Sequence, residues 1–309
     1  SRPMTRAPAA APQHADPPPN AAPPRPDDRP VIVVGTHRSG TTFLGSVLDR
    51  HPDVAFWEEP RHIWVRGNTR TPDDRLDASH ARPHVARAIR AAFARRQLRD
   101  RKPRFAEKTP SNCLRLPFID AVYPNARYVH IYRDGRAVVS STLRMLTSSA
   151  PNRSWVVRRL LATPPWEWPS YASRFFDTVW ARLTTGRMRY WGPRPEGWRS
   201  WVENGDPLHA VVAKQWVGVT RPVLDFREHV DPSRWLEFRY EDLASDPGAH
   251  LGRILEHCEL RDAPEVSAFI ERETNASRRD GWRREIDPAH LEEIRPILEP
   301  TLNRLGYDW

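Results

Sequence analysis

Apolar residues change their spacing repeatedly along this chain, and each change marks an element. Val31–Val34 is a continuous run of four β-formers that ends at Gly35, and helical apolar spacing follows over about 41–50. Val54–Trp57 has the pattern of a short strand. Val85, Ile89 and Phe93 stand four apart, so 80–98 is expected to be an amphipathic helix with arginines on its other face. RFAEKTP (104–110) predicts a strand and then a turn, Cys113–Tyr123 a helix, Arg127–Tyr132 a strand and Arg136–Leu146 a helix. A long helix over about 206–229, a strand at 234–240 and closing helices complete the pattern, the last helix running from Pro288 to Leu305. Strands alternating with helices imply an α/β fold of three layers, a mainly parallel sheet covered on both faces. Two segments break the rhythm. Residues 1–29 are rich in Pro and Ala, lack aromatics, and are expected to be a disordered tail. Residues 147–205, with WGPRPEGWRSW near their end, are expected to be an insertion in a single domain spanning 30–309.

Composition narrows the partners. The 309-residue chain has net charge +9 and pI near 10.1, which suits polyanionic ligands, nucleic acid or an acidic surface. Arginine supplies nearly all of that charge, since lysine stands only at Lys102, Lys108 and Lys214. A chain that writes arginine wherever it serves draws notice to the lysines that remain. No apolar run before the loop is long enough for a signal peptide, and none elsewhere spans a membrane. With two cysteines, Cys113 and Cys258, a reduced cytoplasmic protein is the simplest expectation. The twelve histidines show no metal-ligand spacing.

The chemistry begins at GTHRSGTT, residues 35–42. A Gly-rich turn from strand to helix exposes backbone N–H groups, and the helix N-terminus adds positive potential, so an anion can bind without a metal. Ser39, Gly40, Thr41 and Thr42 occupy the stretch where a nucleotide-hydrolysing loop carries Gly-Lys-Ser/Thr, but the lysine position holds Thr41. The cation is Arg38 instead, whose planar fork matches phosphate oxygens. No strand ends in a magnesium-holding Asp, because 128–132 runs into Tyr132-Arg133-Asp134. Arg133 and Ser141, eight positions apart, are placed to converge on one phosphate, with Asp134 as an ordinary helix cap.

Together these segments resemble the sulfotransferases that use 3′-phosphoadenosine 5′-phosphosulfate (PAPS). HRSGTTFL is similar to their 5′-phosphosulfate loop, and YRDGRAVVSS to their 3′-phosphate motif. RYEDLASDP (239–247), the ending LNRLGYDW, and LDRHPDV followed by Glu58-Glu59-Pro60-Arg61 resemble further segments of the tyrosylprotein sulfotransferase-like and bacterial branch. The resemblance implies a P-loop-type fold and PAPS as donor with PAP as product. It implies transfer to a hydroxyl acceptor with no metal required. It makes Glu59 the base, with Glu58 and then His62 as alternatives, and Lys108 the group that follows charge onto the leaving oxygen. Arg38, Ser39, Gly40, Thr41, Thr42, Arg133, Ser141 and Tyr240 become the donor contacts. Against these stand plainer roles: an ion pair between Glu59 and Arg61, a surface lysine, a core tyrosine.

His37 departs from the pattern, standing where relatives often carry proline. The last phosphate-binding element is not fixed among Arg278, Arg279, Arg283 and Arg284 around Trp282. Trp155, Trp166, Trp168, Trp191, Trp198 and Trp201 either line an acceptor pocket or pack the insertion. The acceptor is expected to be a small molecule, lipid or carbohydrate rather than a protein tyrosine. Two other readings predict different ligands: a kinase-like phosphotransferase with a degenerate loop would prefer Mg·ATP, and a basic nucleic-acid-binding protein would show steep salt dependence.

Overall fold

The structure is a computed structural model that describes residues 25–147, 190–273 and 282–309. Five strands among these residues form one sheet: β1 (Val31–Val34), β2 (Val54–Glu58), β3 (Arg104–Lys108), β4 (Arg127–Tyr132) and β5 (Trp235–Arg239). Their order is β2-β3-β1-β4-β5, and every pairing is parallel. The described α-helices are α1 (Thr41–Arg50), α2 (Arg61–Trp64), α3 (Pro83–Asp100), α4 (Leu116–Val122), α5 (Gly135–Thr147) and α6 (Trp198–Glu203). They continue with α7 (Leu208–Arg227), α8 (Tyr240–Ser245), α9 (Pro247–His257), α10 (Pro264–Glu273), α11 (Trp282–Glu285) and α12 (Pro288–Arg304).

The unbroken apolar run of β1 follows from burial on both faces of the sheet. Ile32 and Val34 enter a core with Val85, Ile89 and Phe93 of α3, Ile119 of α4 and Val223 of α7. Val31 and Val33 point the other way, onto Leu44, Val47 and Leu48 of α1 and Ile254 of α9. Each fully buried aliphatic side chain contributes about 1.5–3 kcal/mol, so α1 is anchored mainly by this face. A third core packs α5 and α7 against α12.

The observed boundaries differ from the expected ones where proline intervenes. The helix expected over 113–123 is a 3₁₀ turn at Pro110–Leu114 followed by α4. Pro117 lacks an N–H and is placed in the first turn of α4, while Arg115 leaves helical geometry at φ −135°. In the same way α3 begins at Pro83 rather than at 80, and Ala78–His80 forms a separate turn capped by Asp77.

Most of the expected insertion, 148–189, lies outside the described residues. Its end is tied to the domain. Asp74 accepts a hydrogen bond from the Arg194 N–H (2.9 Å) and donates its own N–H to the Arg194 carbonyl (2.8 Å). Arg115 pairs with the Asp74 carboxylate at 3.1 Å, with both side chains buried. Gln215 Nε2 donates to the carbonyls of Trp191 (2.8 Å) and Pro193 (2.9 Å).

Candidate active site

All five strands deliver candidate residues at their carboxyl ends, where ligands of open parallel sheets bind. β1 runs into the Gly35–Gly40 loop, β2 into Glu58 and Glu59, β3 ends at Lys108, β4 precedes Arg133, and β5 precedes Tyr240. Because the order reverses about β1, its loop emerges between the ends of β3 and β4.

Two glycines make the loop possible. A Cβ on Gly35 would lie 2.4 Å from the Ile131 carbonyl oxygen, and one on Gly40 would lie 2.6 Å from Cδ2 of Tyr240, at a left-handed φ of +97°. Tyr240 therefore supports the loop from beneath, and Arg133 lies over its ring at 4.7 Å. No side chain caps α1 and its first turn has no acidic residue, which leaves its N-terminal N–H groups to an anion. Ser39, expected among the ligand donors, is fully buried, and both its hydroxyl (2.5 Å) and its N–H (3.3 Å) go to the Thr36 carbonyl. That side chain closes the turn. Thr41 is buried too, whereas Thr42 is exposed.

Arg38 is exposed at φ +65°, and its Nε donates to Ser141 Oγ at 2.9 Å. Arg133 Nη1 donates to the Arg38 carbonyl at 3.2 Å. The two residues expected to share a phosphate, Arg133 and Ser141, thus meet through Arg38. Alongside, Glu285 of α11 accepts from Ser140 (2.5 Å) and pairs with Arg144. The Ser140 hydrogen bond, aided by the charges of Arg144 and Arg133, holds its carboxyl below the usual range. Arg283 stacks on Trp282 and is exposed, as is Arg284; Arg278 and Arg279 lie outside the described residues.

The second half of the site is set by strand register. Glu58 stands opposite Lys108 in the β2–β3 pairing, and their side chains meet at 3.1 Å. Glu59 follows at φ +50°, its N–H on the Lys108 carbonyl (2.8 Å). Its carboxylate lies 3.4 Å from Lys108 Nζ and 3.0 Å from Arg61. The other left-handed non-glycine residues described, Arg101 and Glu259, follow helices, where that conformation is common; Arg38 and Glu59 hold it at the site. Lys108 is 3% exposed in its side chain, against 60% for Glu58 and 23% for Glu59, so it is no free surface lysine. His62 packs beside Trp57, and burial and the charge of Arg66 push its pKa down to about 4. A cleft of about 330 Å³ opens next to Glu58, lined by Thr42, Ser46, Phe56, Trp57 and Arg96 among others.

Glu107 is a site neighbour that spacing did not reveal, though a carboxylate inside an apolar strand was the available signal. It is fully buried, with Thr109 Oγ1 (2.8 Å) and Asn112 Nδ2 (2.6 Å) donating to its two oxygens. Burial pushes its pKa from 4.5 up to about 7. A raised acid contributes stability that is fully present below 4.5 and lost as pH rises through 7. Glu107→Gln should therefore flatten the fall in melting temperature between pH 4.5 and pH 7, measured by calorimetry across that window. An unchanged slope would assign the dependence to another group.

Among the described residues no group of His, Cys, Asp and Glu is arranged to hold a metal, and no helix is long and apolar enough to cross a membrane. The motifs at 239–247 and 302–309 engage each other: Arg239 donates to the Gly306 carbonyl (2.7 Å) and Tyr307 to Glu241 (2.8 Å). Arg136, buried between Asp134 and the Asp308 carbonyl, joins them to the start of α5. Asp134, expected only to cap that helix, also carries this ion pair.

The sequence profile of the sulfotransferase family matches residues 30–190 and 181–264. The chain belongs to that family. Its relatives include protein-tyrosine sulfotransferase A of Caenorhabditis elegans, 30% identical over 37% of this chain and 32% of that protein. The chain spans about a third to two fifths of the length of the first such relatives. A longer match is to the omega-hydroxy-beta-dihydromenaquinone-9 sulfotransferase Stf3 of Mycobacterium bovis, 22% identical over 91% of this chain and 76% of that one. Among solved structures, the sulfotransferase domain from the curacin biosynthetic pathway superposes with a TM-score of 0.54 at 15% identity, over 91% of this chain and 98% of that chain. The expected α/β fold with a mainly parallel sheet is the observed one.

Proposed function

We propose that this member of the sulfotransferase family transfers the sulfuryl group of PAPS to a hydroxyl acceptor. The observation that carries this reading is that an uncapped anion loop with the Arg38–Ser141–Arg133 array and the Lys108–Glu58–Glu59 cluster stand together at the carboxyl ends of the parallel strands. The loop and α1 hold the 5′-phosphosulfate, and Arg133 with Ser141 and Arg38 holds the 3′-phosphate side. The acceptor oxygen forms its bond to sulfur as the bond from sulfur to the bridging phosphate oxygen breaks. Its proton passes to Glu59, and the electron pair of the broken bond stays with the departing PAP.

Glu59 suits the role of base because its backbone hydrogen bond and its contact with Arg61 fix its carboxylate before any substrate arrives. Lys108, held between the two carboxylates, can follow charge from the sulfuryl group to the bridging oxygen. No step requires a metal. The acceptor we favour is a small molecule, lipid or carbohydrate, because the relative matched over most of the chain is named for a menaquinone derivative. Two buried free cysteines, Cys113 and Cys258, fit a reducing cytoplasmic setting.

Incubating the protein with ³⁵S-labelled PAPS and a panel of phenols, lipid alcohols and sugars tests the reading. Label should move to one acceptor class, and the rate should survive EDTA. Retention of all label on PAPS across the panel, with phosphate moving instead from Mg·ATP, would favour the kinase-like reading.

A further inference from the structure

His37 is the loop residue the reaction above does not use. It is 3% exposed, and neither ring nitrogen has a hydrogen-bond partner among the described residues. A neutral imidazole carries one N–H donor and one bare acceptor nitrogen, and burying both unpaired is costly. The ring is nevertheless held firmly. Trp191 meets it edge-on at 5.4 Å, and Gly192 lies so close that a Cβ there would be 3.3 Å from Nδ1. Gln215 fixes that covering segment through the Trp191 and Pro193 carbonyls.

The surroundings say what the missing partner is. Burial, then the charges of Arg38 and Arg61, push the His37 pKa down to about 4. Two cations thus bear on the ring, Arg38 next to it on the loop and Arg61, which is joined to Glu59. Nε of Arg61 is also buried with no hydrogen-bond partner among the described residues. Unspent donors on the His37 ring and on Arg61 Nε, with the charge of Arg38 beside them, suit an anionic oxygen, and the proposed transfer passes between this loop and Glu59.

We propose that His37 is a sulfuryl-binding residue, its ring N–H donating to a sulfuryl oxygen of PAPS, a contact that PAP cannot make. The inference rests on the PAPS reading and deepens it. Titration calorimetry with PAPS and with PAP, which differ only by that group, tests it without any acceptor. His37→Phe keeps the ring packing on Trp191 but loses both nitrogens. It should weaken PAPS by about tenfold and leave PAP nearly unchanged, as expected for a hydrogen bond to a charged group. His37→Gln, which restores a donor, should recover most of the loss. Equal weakening of both ligands would make His37 a packing residue of the loop. No change in either would mean that ordered water or nothing fills the site, and both results overturn the proposal. Should the phenylalanine variant not fold, the ¹⁵N shifts of the His37 ring in the native protein report the same contact, moving with PAPS and not with PAP. Native protein that binds PAP while the variants behave identically defeats this inference alone; native protein that binds neither nucleotide defeats the reading beneath it.

Discussion

Lys108→Ala is expected to lower kcat by about 10²–10³ while PAP still binds, because in the proposed transfer it removes a cation aimed at charge that develops in the transition state. The effect is large because Lys108 is nearly buried and fixed by two carboxylates, so no solvent cation replaces it. Lys108→Arg should not restore the rate: a guanidinium keeps the charge but cannot track it over the short path from sulfuryl to bridging oxygen. Single-turnover sulfation, with PAP affinity measured in parallel, separates this from a binding defect. A Lys108→Ala enzyme with full kcat and weakened PAP would reduce Lys108 to a static donor contact. Glu59→Gln is the companion variant, and removing a base lowers the rate by about 10²–10⁴. If Glu58→Gln is the more damaging of the two, the base is the carboxylate in register with Lys108.

The second large effect is on stability. Asp74→Asn should cost about 3–5 kcal/mol, because it removes the buried carboxylate charge that faces the Arg115 guanidinium at 3.1 Å. Asp74 also receives the Arg194 N–H, so the cost is coupled to the segment that covers His37. Urea unfolding monitored by tryptophan fluorescence reads the change, and hydrogen exchange at residues 190–198 should rise with it. A loss under about 1 kcal/mol would place the pair among solvated ion pairs, which contribute little.

What was legible beforehand was what is local. The β1 strand, its loop and α1 could be read because glycine spacing and apolar period lie within twenty residues. Arg133 and Ser141 could be paired because a strand end and the helix that follows it lie within eight residues of each other. The Glu58–Lys108 contact was not legible as a contact, since fifty positions separate them and only the β2–β3 register joins them. The bend at Glu59 depends on a left-handed backbone that no residue type announces there. Ser39 reads as a donor to ligand because it is a serine in an anion loop, and spacing alone does not show that the Thr36 carbonyl, three residues back, takes its hydroxyl. Arg239, Glu241 and Tyr307 belong to motifs that point toward function, yet their hydrogen bonds close the C-terminus onto β5 and α8. A motif can mark a family by its architecture as much as by its chemistry.

The most direct test is the thermal stability of the native protein and of Arg133→Ala with PAP, ADP and Mg·ATP supplied separately. A ligand specific to the folded state, present at 100 times its Kd, adds about 2.7 kcal/mol. PAP alone should raise the melting temperature of the native protein, and Arg133→Ala should abolish that rise. Stabilisation by Mg·ATP without any from PAP would contradict the account.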